Sequence, residues 1–203
     1  MKSFYTSVVR YGNSMLYRGY DTTGQKIFKK DYFKPIFFVN SPKDVGWRGI
    51  DETLVAPVQF ESMREAKNWL AKYDDVKGFN VYGATNYIHQ YITSKFPRDI
   101  EFDRDKINVT NIDIETEYND GFPHPDIADQ KILAITIKNN IDNTYHVWGY
   151  GDYNTEAALI KPVKYYRCRD EASLLSKFLD FWSTHQNMPD VITGWNIRFF
   201  DVP

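Results

Sequence analysis

Cysteine is nearly absent: Cys168 is the only one in 203 residues. A disulfide framework and a thiolate zinc cage are therefore both excluded within one chain. No stretch approaches the ~18 to 20 consecutive apolar residues that a membrane-spanning helix needs, and the opening Met1-Lys2-Ser3-Phe4-Tyr5 lacks the apolar core of a secretory signal. Together these absences lead us to expect no membrane partner and a reducing cytoplasm as the setting. Charge of one sign is lacking too. The net charge of −2 gives no global basic field, although a local basic groove beside an acidic metal site would produce the same total. The four histidines, His89, His124, His146 and His185, are scattered without metal-ligand spacing, so each reads as a surface or internally satisfied ring. No internal repeat or low-complexity tract is present.

Aromatic residues are abundant, at 17% of the chain with 15 Tyr, 14 Phe and 5 Trp. They fill cores, or stack on bases where exposed. The first 40 residues read as a β-meander. Strands are expected at Phe4 to Arg10, Ser14 to Tyr20, Gln25 to Tyr32 and Pro35 to Asn40, with turns at Gly12-Asn13 and Asp21 to Gly24. A loop follows from Ser41 to about Pro57. Ser62 with Glu65 has capping-box form, and Met63, Ala66, Leu70 and Tyr73 recur at helical spacing, which predicts a helix over 63–73.

The character changes near residue 100. Asp99 to Asp105 reads as a charged edge strand and Ile107 to Thr116 as the best strand in the chain. Ile132 to Ile137 and Thr144 to Trp148 flank the polar turn Asn139 to Asn143 as an antiparallel hairpin. Asp170 caps a helix whose Leu174, Leu175, Phe178, Leu179 and Trp182 form one stripe. Val191 to Thr193 reads as a short buried strand. The expected organisation is a β-rich domain over 1–104 and an α/β domain with a mixed sheet over 105–203.

Asn111-Ile112-Asp113-Ile114-Glu115-Thr116 carries the sharpest chemical signal. Residues two apart on a strand share a face, so Asp113 and Glu115 project together. Neighbouring carboxylates repel unless a cation lies between them, and magnesium suits one or two carboxylates plus substrate phosphate. Alone, Asp-x-Glu on a strand is more often a solvated face. A second string, Gly194-Trp195-Asn196 through Phe200-Asp201-Val202-Pro203, joins a tight turn, an aromatic-flanked Asn and an Asp between apolar residues. Its blander reading is an anchored loop with a capping Asp.

In this order and spacing, and with the opening residues and the Tyr17-Arg18-Gly19-Tyr20-Asp21 run, the two strings resemble the first and second exonuclease motifs of family B DNA polymerases. The branch is that of T-even-like bacteriophages, and the resemblance spans essentially the whole chain. It implies an OB-like or RNA-recognition-like amino-terminal domain followed by a partial ribonuclease-H-like 3′→5′ proofreading exonuclease. It further implies that Asp113 bridges two Mg2+ (or Mn2+) ions, that Glu115 completes one site and that Asp201 serves the other. Phe122 would stack on bases of a frayed primer strand, and Asn196 and Phe200 would contact the primer end. Implied partners are a single-stranded DNA primer end, template-primer DNA, the remainder of a polymerase chain, a phage sliding clamp and the replisome. The implied location is the cytoplasm of an infected bacterium. A third exonuclease motif, palm, fingers and thumb lie outside these 203 residues. The expectation is therefore a fragment with little or no activity alone. Two other readings compete: a non-catalytic module binding single-stranded nucleic acid through the Lys26 to Lys34 strand, and a different ribonuclease-H-like nuclease.

Overall fold

The computed structural model describes residues 2–118, 123–157, 159, 162–198 and 201–202. The chain divides into two compact units, Met1–Phe102 and Asp103–Pro203.

In the first unit, β1 (Phe4–Tyr11), β2 (Ser14–Tyr20) and β3 (Lys26–Tyr32) form an antiparallel sheet in that order. The β1–β2 turn is two residues long and puts Gly12 at φ +60°, a conformation glycine adopts without strain. Asn13 beside it ties three elements together. Its carbonyl accepts the Phe33 N–H, and its side chain accepts the Arg64 N–H. On β3, Lys26, Lys29 and Lys30 lie over the rings of Tyr20, Tyr17 and Tyr11. Those cations are engaged within their own sheet.

A second sheet runs β5 (Trp47–Arg48), β6 (Leu54–Gln59), β4 (Ile36–Asn40), β7 (Val81–Tyr82) in spatial order. The fourth strand thus leaves the meander instead of continuing it. Pro35, just before it, offers no backbone donor with which to extend the first sheet. Part of the expected loop 41–57 is also strand. Pro57 is tolerated inside β6 because its partner Phe38 is a non-hydrogen-bonded position, flanked by Phe60 N–H to Pro35 O and Ser41 N–H to Leu54 O. Its nitrogen therefore faces past the end of the two-residue β5.

Helix α1 (Met63–Tyr73) starts where Ser62 accepts the Glu65 N–H. The Glu65 carboxylate accepts the Glu61 N–H instead of closing the box on Ser62. A second helix, α2 (Tyr87–Lys95), begins at the Asn86 cap. The core gathers Met15, Tyr17, Phe33, Phe37, Phe60, Met63, Ala66, Tyr87 and Tyr91 from both sheets and both helices.

Residues 99–105 are not a strand. The Asp103 carboxylate accepts the Asp105 N–H and its carbonyl accepts the Lys106 N–H, which bends the chain into a turn. The second unit then builds a five-stranded sheet from β8 (Val109–Thr116), β9 (Ile132–Asn139), β10 (Tyr145–Tyr150), β11 (Val163–Cys168) and β12 (Val191–Thr193), ordered β11-β10-β9-β8-β12. The β8–β9 and β9–β10 pairs are antiparallel, while β10–β11 and β8–β12 are parallel.

Helix α3 (Glu171–Ser183) carries a full capping box at Asp170 and packs on β9, β10 and β11. Its inner face is Leu174 and Phe178, joined by Leu175, Phe181 and Trp182; Leu179 is exposed and does not belong to the stripe. Trp148 lies at the centre of this core, 1% exposed, between Tyr166, Phe178 and Phe181. His146 is a satisfied core residue, bonded to the Tyr166 hydroxyl and the Asp142 carboxylate. Val191 and Ile192 are 46% and 41% exposed, so β12 is an open edge and not a buried strand.

Gly19 supplies a test of the β1–β2 packing. A Cβ there would sit 2.3 Å from the Phe4 carbonyl oxygen and 2.9 Å from Tyr5 Cα, both backbone atoms. Gly19→Ala is expected to cost about 1 to 3 kcal/mol, read as a lowered Tm in thermal unfolding. An unchanged Tm would show that the pairing relaxes freely.

Candidate active site

The second unit's chemistry gathers where β12 stops. That strand pairs with β8 only at Val109, Thr110 and Asn111. Upstream, Asn108 holds the two strands together. Its N–H donates to Asp190 Oδ2, its carbonyl accepts the Asp190 and Val191 N–H groups, and its amide reaches the Asn187 carbonyl. Among the described residues, the edge of β8 beyond Asn111 has no strand partner on that side, and this half carries Asp113 and Glu115. Their partners on β9 are Thr136 and Ala134. Alternation holds as expected: Ile112 is buried and Ile114 half-buried, while both carboxylates are exposed.

The loop after β12 returns to this open edge. Gly194 comes so near β8 that an added Cβ would lie 2.5 Å from the Ile112 carbonyl oxygen. Asn196 takes φ +55°, a left-handed conformation that asparagine tolerates better than most residues. Ile197 packs on the hydrophobic core, and its carbonyl accepts the Val202 N–H. Asp201 is thereby turned inward, and its Oδ1 accepts the Ile114 N–H at 3.1 Å. That backbone donor lies between the two outward carboxylates of β8.

Asp113, Glu115 and Asp201 line one cleft of about 360 Å3, together with Tyr118, Pro123, Trp195 and Asn196. The Trp195 ring is 91% exposed at its mouth. Burial pushes the Asp201 carboxyl above its ordinary value. The Ile114 N–H pulls it down, and the nearby Asp113 charge pushes it up again. Among the described residues, no three His, Cys, Asp or Glu side chains converge closely enough to hold an ion unaided. The donors are hard oxygens with mutual repulsion between Asp113 and Asp201, which is the chemistry that a hard divalent cation relieves. Of the residues singled out in the sequence, the structure brings Asp113, Glu115, Asn196 and Asp201 together. Phe122 and Phe200 lie outside the described residues. The Ile114 N–H is a functional group that no motif reading could supply.

The fold agrees with comparisons to known proteins. The model of the DNA polymerase family B exonuclease domain matches residues 62–203. Over its whole length the chain is 30% identical to the DNA-directed DNA polymerase of Escherichia phage RB69 and 28% identical to that of Enterobacteria phage T4. A solved structure of the family B DNA polymerase from the hyperthermophilic archaeon Pyrobaculum calidifontis shares the fold over 99% of this chain and 30% of its own, with a TM-score of 0.59 at 18% identity. The chain therefore belongs to the family B DNA polymerases, and its matching region is their exonuclease domain. It spans about a quarter of the length of the two phage polymerases, covering 25% of each.

Asp201→Asn keeps an oxygen for the Ile114 N–H and removes the charge. A raised carboxyl pKa favours the fold at pH below the ordinary carboxylate range, and that contribution is lost as pH rises through the shifted value. Without divalent metal, Asp201→Asn is expected to have the higher Tm at pH 7. Its advantage should shrink to nothing as pH falls to about 3, below the ordinary carboxylate range. A variant that gains on the parent as pH falls would contradict the assignment.

Proposed function

We propose that the second unit carries the metal-binding core of a proofreading 3′→5′ exonuclease that removes nucleotides from single-stranded primer ends. The supporting observation is the return of Asp201, 87 residues from Ile114 in sequence, to the β8 backbone between Asp113 and Glu115. In this reading Asp113 would serve both of two ions, magnesium or manganese; Glu115 would complete the set for one and Asp201 would serve the other. When bound, such ions neutralise phosphate charge and activate water. The chain's own part is to hold three oxygen ligands on rigid backbone, two on a sheet strand and one clamped by Ile114. Asn196, fixed in its turn, faces the same cleft and would position the primer end. Phe122 and Phe200 enter as primer contacts from the family alone.

The sheet supports a ribonuclease-H-like reading of this unit. Three consecutive antiparallel strands, β8 to β10, are flanked by β11, parallel to β10, and by β12, parallel to β8, with α3 packed on β9, β10 and β11. The β-rich first unit is read as the amino-terminal domain, OB-like or RNA-recognition-like, giving domains over about 1–104 and 105–203. The implied partners are a DNA primer end and template, the rest of a polymerase chain, and a sliding clamp and replisome in an infected bacterium.

Thermal shift with Mn2+ tests the metal site on the 203-residue chain. At a hundred times Kd, Mn2+ should stabilise the parent by about 2.7 kcal/mol. Asp113→Asn and Asp201→Asn should each lose most of that shift while folding normally in its absence. In a polymerase spanning the length of the phage relatives, Asp113→Ala should cut nucleotide release from single strands by about a hundredfold or more and spare primer extension. Full Mn2+ shifts in both asparagine variants, or undiminished digestion, would remove the proposal.

A further inference from the structure

In the first unit, a cavity of about 540 Å3 opens on the outer face of the second sheet. Register puts its walls there. Phe37 points into the core, so Phe38 and Asn40 project to the opposite face. Tyr82 pairs with Phe38, Val55 with Asn40 and Trp47 with Val55, which carries all three partners to that face as well. Phe38, Trp47 and Tyr82 thus form aromatic walls, with the Phe38 and Trp47 rings 5.1 Å apart and tilted by 48°. Trp47 is 52% exposed. Two charged residues, Arg48 and Asp51, line the same cavity. Arg48 is neutralised by Asp44 at 2.6 Å. Asp51 takes neutral donors instead: its Oδ1 accepts the Thr53 N–H, and its Oδ2 lies 3.5 Å from the Tyr82 hydroxyl. Hydrogen bonds from Thr53 above all hold the Asp51 carboxyl below its ordinary value. A second cavity, of about 510 Å3, shares Asp51, Tyr82 and Gly83 with the first. Tyr73 and Phe79, stacked at 4.5 Å, line it together with Asp74.

Ring faces carry negative charge density, so several aromatic walls beside a carboxylate are suited to an organic ammonium ion. We propose that the first cavity takes an alkylammonium group, and that the two cavities together take an aliphatic di- or polyamine lying along Asp51 and Tyr82. Such a ligand alternates amines that are protonated at pH 7 with apolar methylene runs. The groove offers the matching sequence, with carboxylates at Asp51 and Asp74 and aromatic rings beside each. Both volumes fall within the range of about 300 to 1,000 Å3 that small-molecule sites occupy. A nucleotide is the competing guest for aromatic walls. The two carboxylates disfavour it, since each repels a phosphate where it attracts an ammonium. The proposal rests on the first unit alone and stands or falls separately from the exonuclease reading.

The test titrates the 203-residue chain with spermidine and follows binding by calorimetry and tryptophan fluorescence. Trp47→Leu keeps an apolar wall and removes the ring face, and it should weaken spermidine about three- to tenfold. Asp51→Asn keeps an oxygen for the Thr53 N–H and removes the charge. It should weaken spermidine about threefold, and it carries the test if the Trp47 variant folds poorly. Asp113→Asn, in the other unit, should leave spermidine affinity unchanged. The adenine nucleotide dAMP should bind more weakly than spermidine, with no dependence on Trp47. Spermidine affinity unchanged in folded Trp47→Leu and Asp51→Asn would overturn the site. Loss of spermidine binding in Asp113→Asn would also overturn it, by placing the polyamine in the acidic cleft. Binding of dAMP that exceeds spermidine's and falls in Trp47→Leu would overturn it too, by placing a base between the rings.

Discussion

The hydrogen bond from the Ile114 N–H to Asp201 exists because β12 is too short. Three residues pair with β8 and then the edge strand ends, so the next stretch of β8 presents backbone donors to whatever comes. An uncovered edge is usually a liability. Here a side chain closes part of it, and that side chain arrives with a negative charge beside two others. The same stroke satisfies a backbone donor and brings the third carboxylate into place. Gly194 is the permissive element, because any Cβ there would meet the Ile112 carbonyl. Ile197 is the anchoring element, since its packing against the core fixes where the loop turns back. The site is thus an outcome of strand length and loop anchoring before it is one of acidic residues.

Much of this was visible in the sequence, and for identifiable reasons. Ser14–Tyr20 and Met63–Tyr73 begin and end where alternation, the Ser62 cap and helical spacing placed them. These are local signals, complete within a dozen residues. Asp113 and Glu115 share a face because strand period alone demands it. Local rules failed where non-local pairing decided. β4 joined the second sheet, and β11 was overlooked because its pairing partner is a parallel strand reached by a crossover. The α2 helix buries only two tyrosines, Tyr87 and Tyr91, and so carries little helical periodicity in its sequence. Val191 and Ile192 looked buried by composition, yet the edge position left them exposed.

The site itself divides along the same line. Residue identity was legible for Asp113, Glu115, Asn196 and Asp201, through motif order and family likeness. Their assembly was not. Nothing in the string around Asp201 says that its partner is the backbone of residue 114, since that contact follows from how β12, the Asn108 clamp and the Ile197 anchor fit together.

The two sides of the β8 edge then have different electrostatic economies. Asp113 and Glu115 stay exposed, so water screens their repulsion and they cost the free protein little. Asp201 is half-buried, and burial is the largest influence raising its carboxyl. Anchoring it to the Ile114 N–H offsets part of that penalty without removing the charge. A fully buried trio would need the cation in order to fold; a fully solvated one would hold its oxygens too loosely to position anything. One clamped carboxylate beside two free ones lies between these limits. It leaves repulsion between Asp113 and Asp201 in the free chain, which a hard divalent cation held there would relieve.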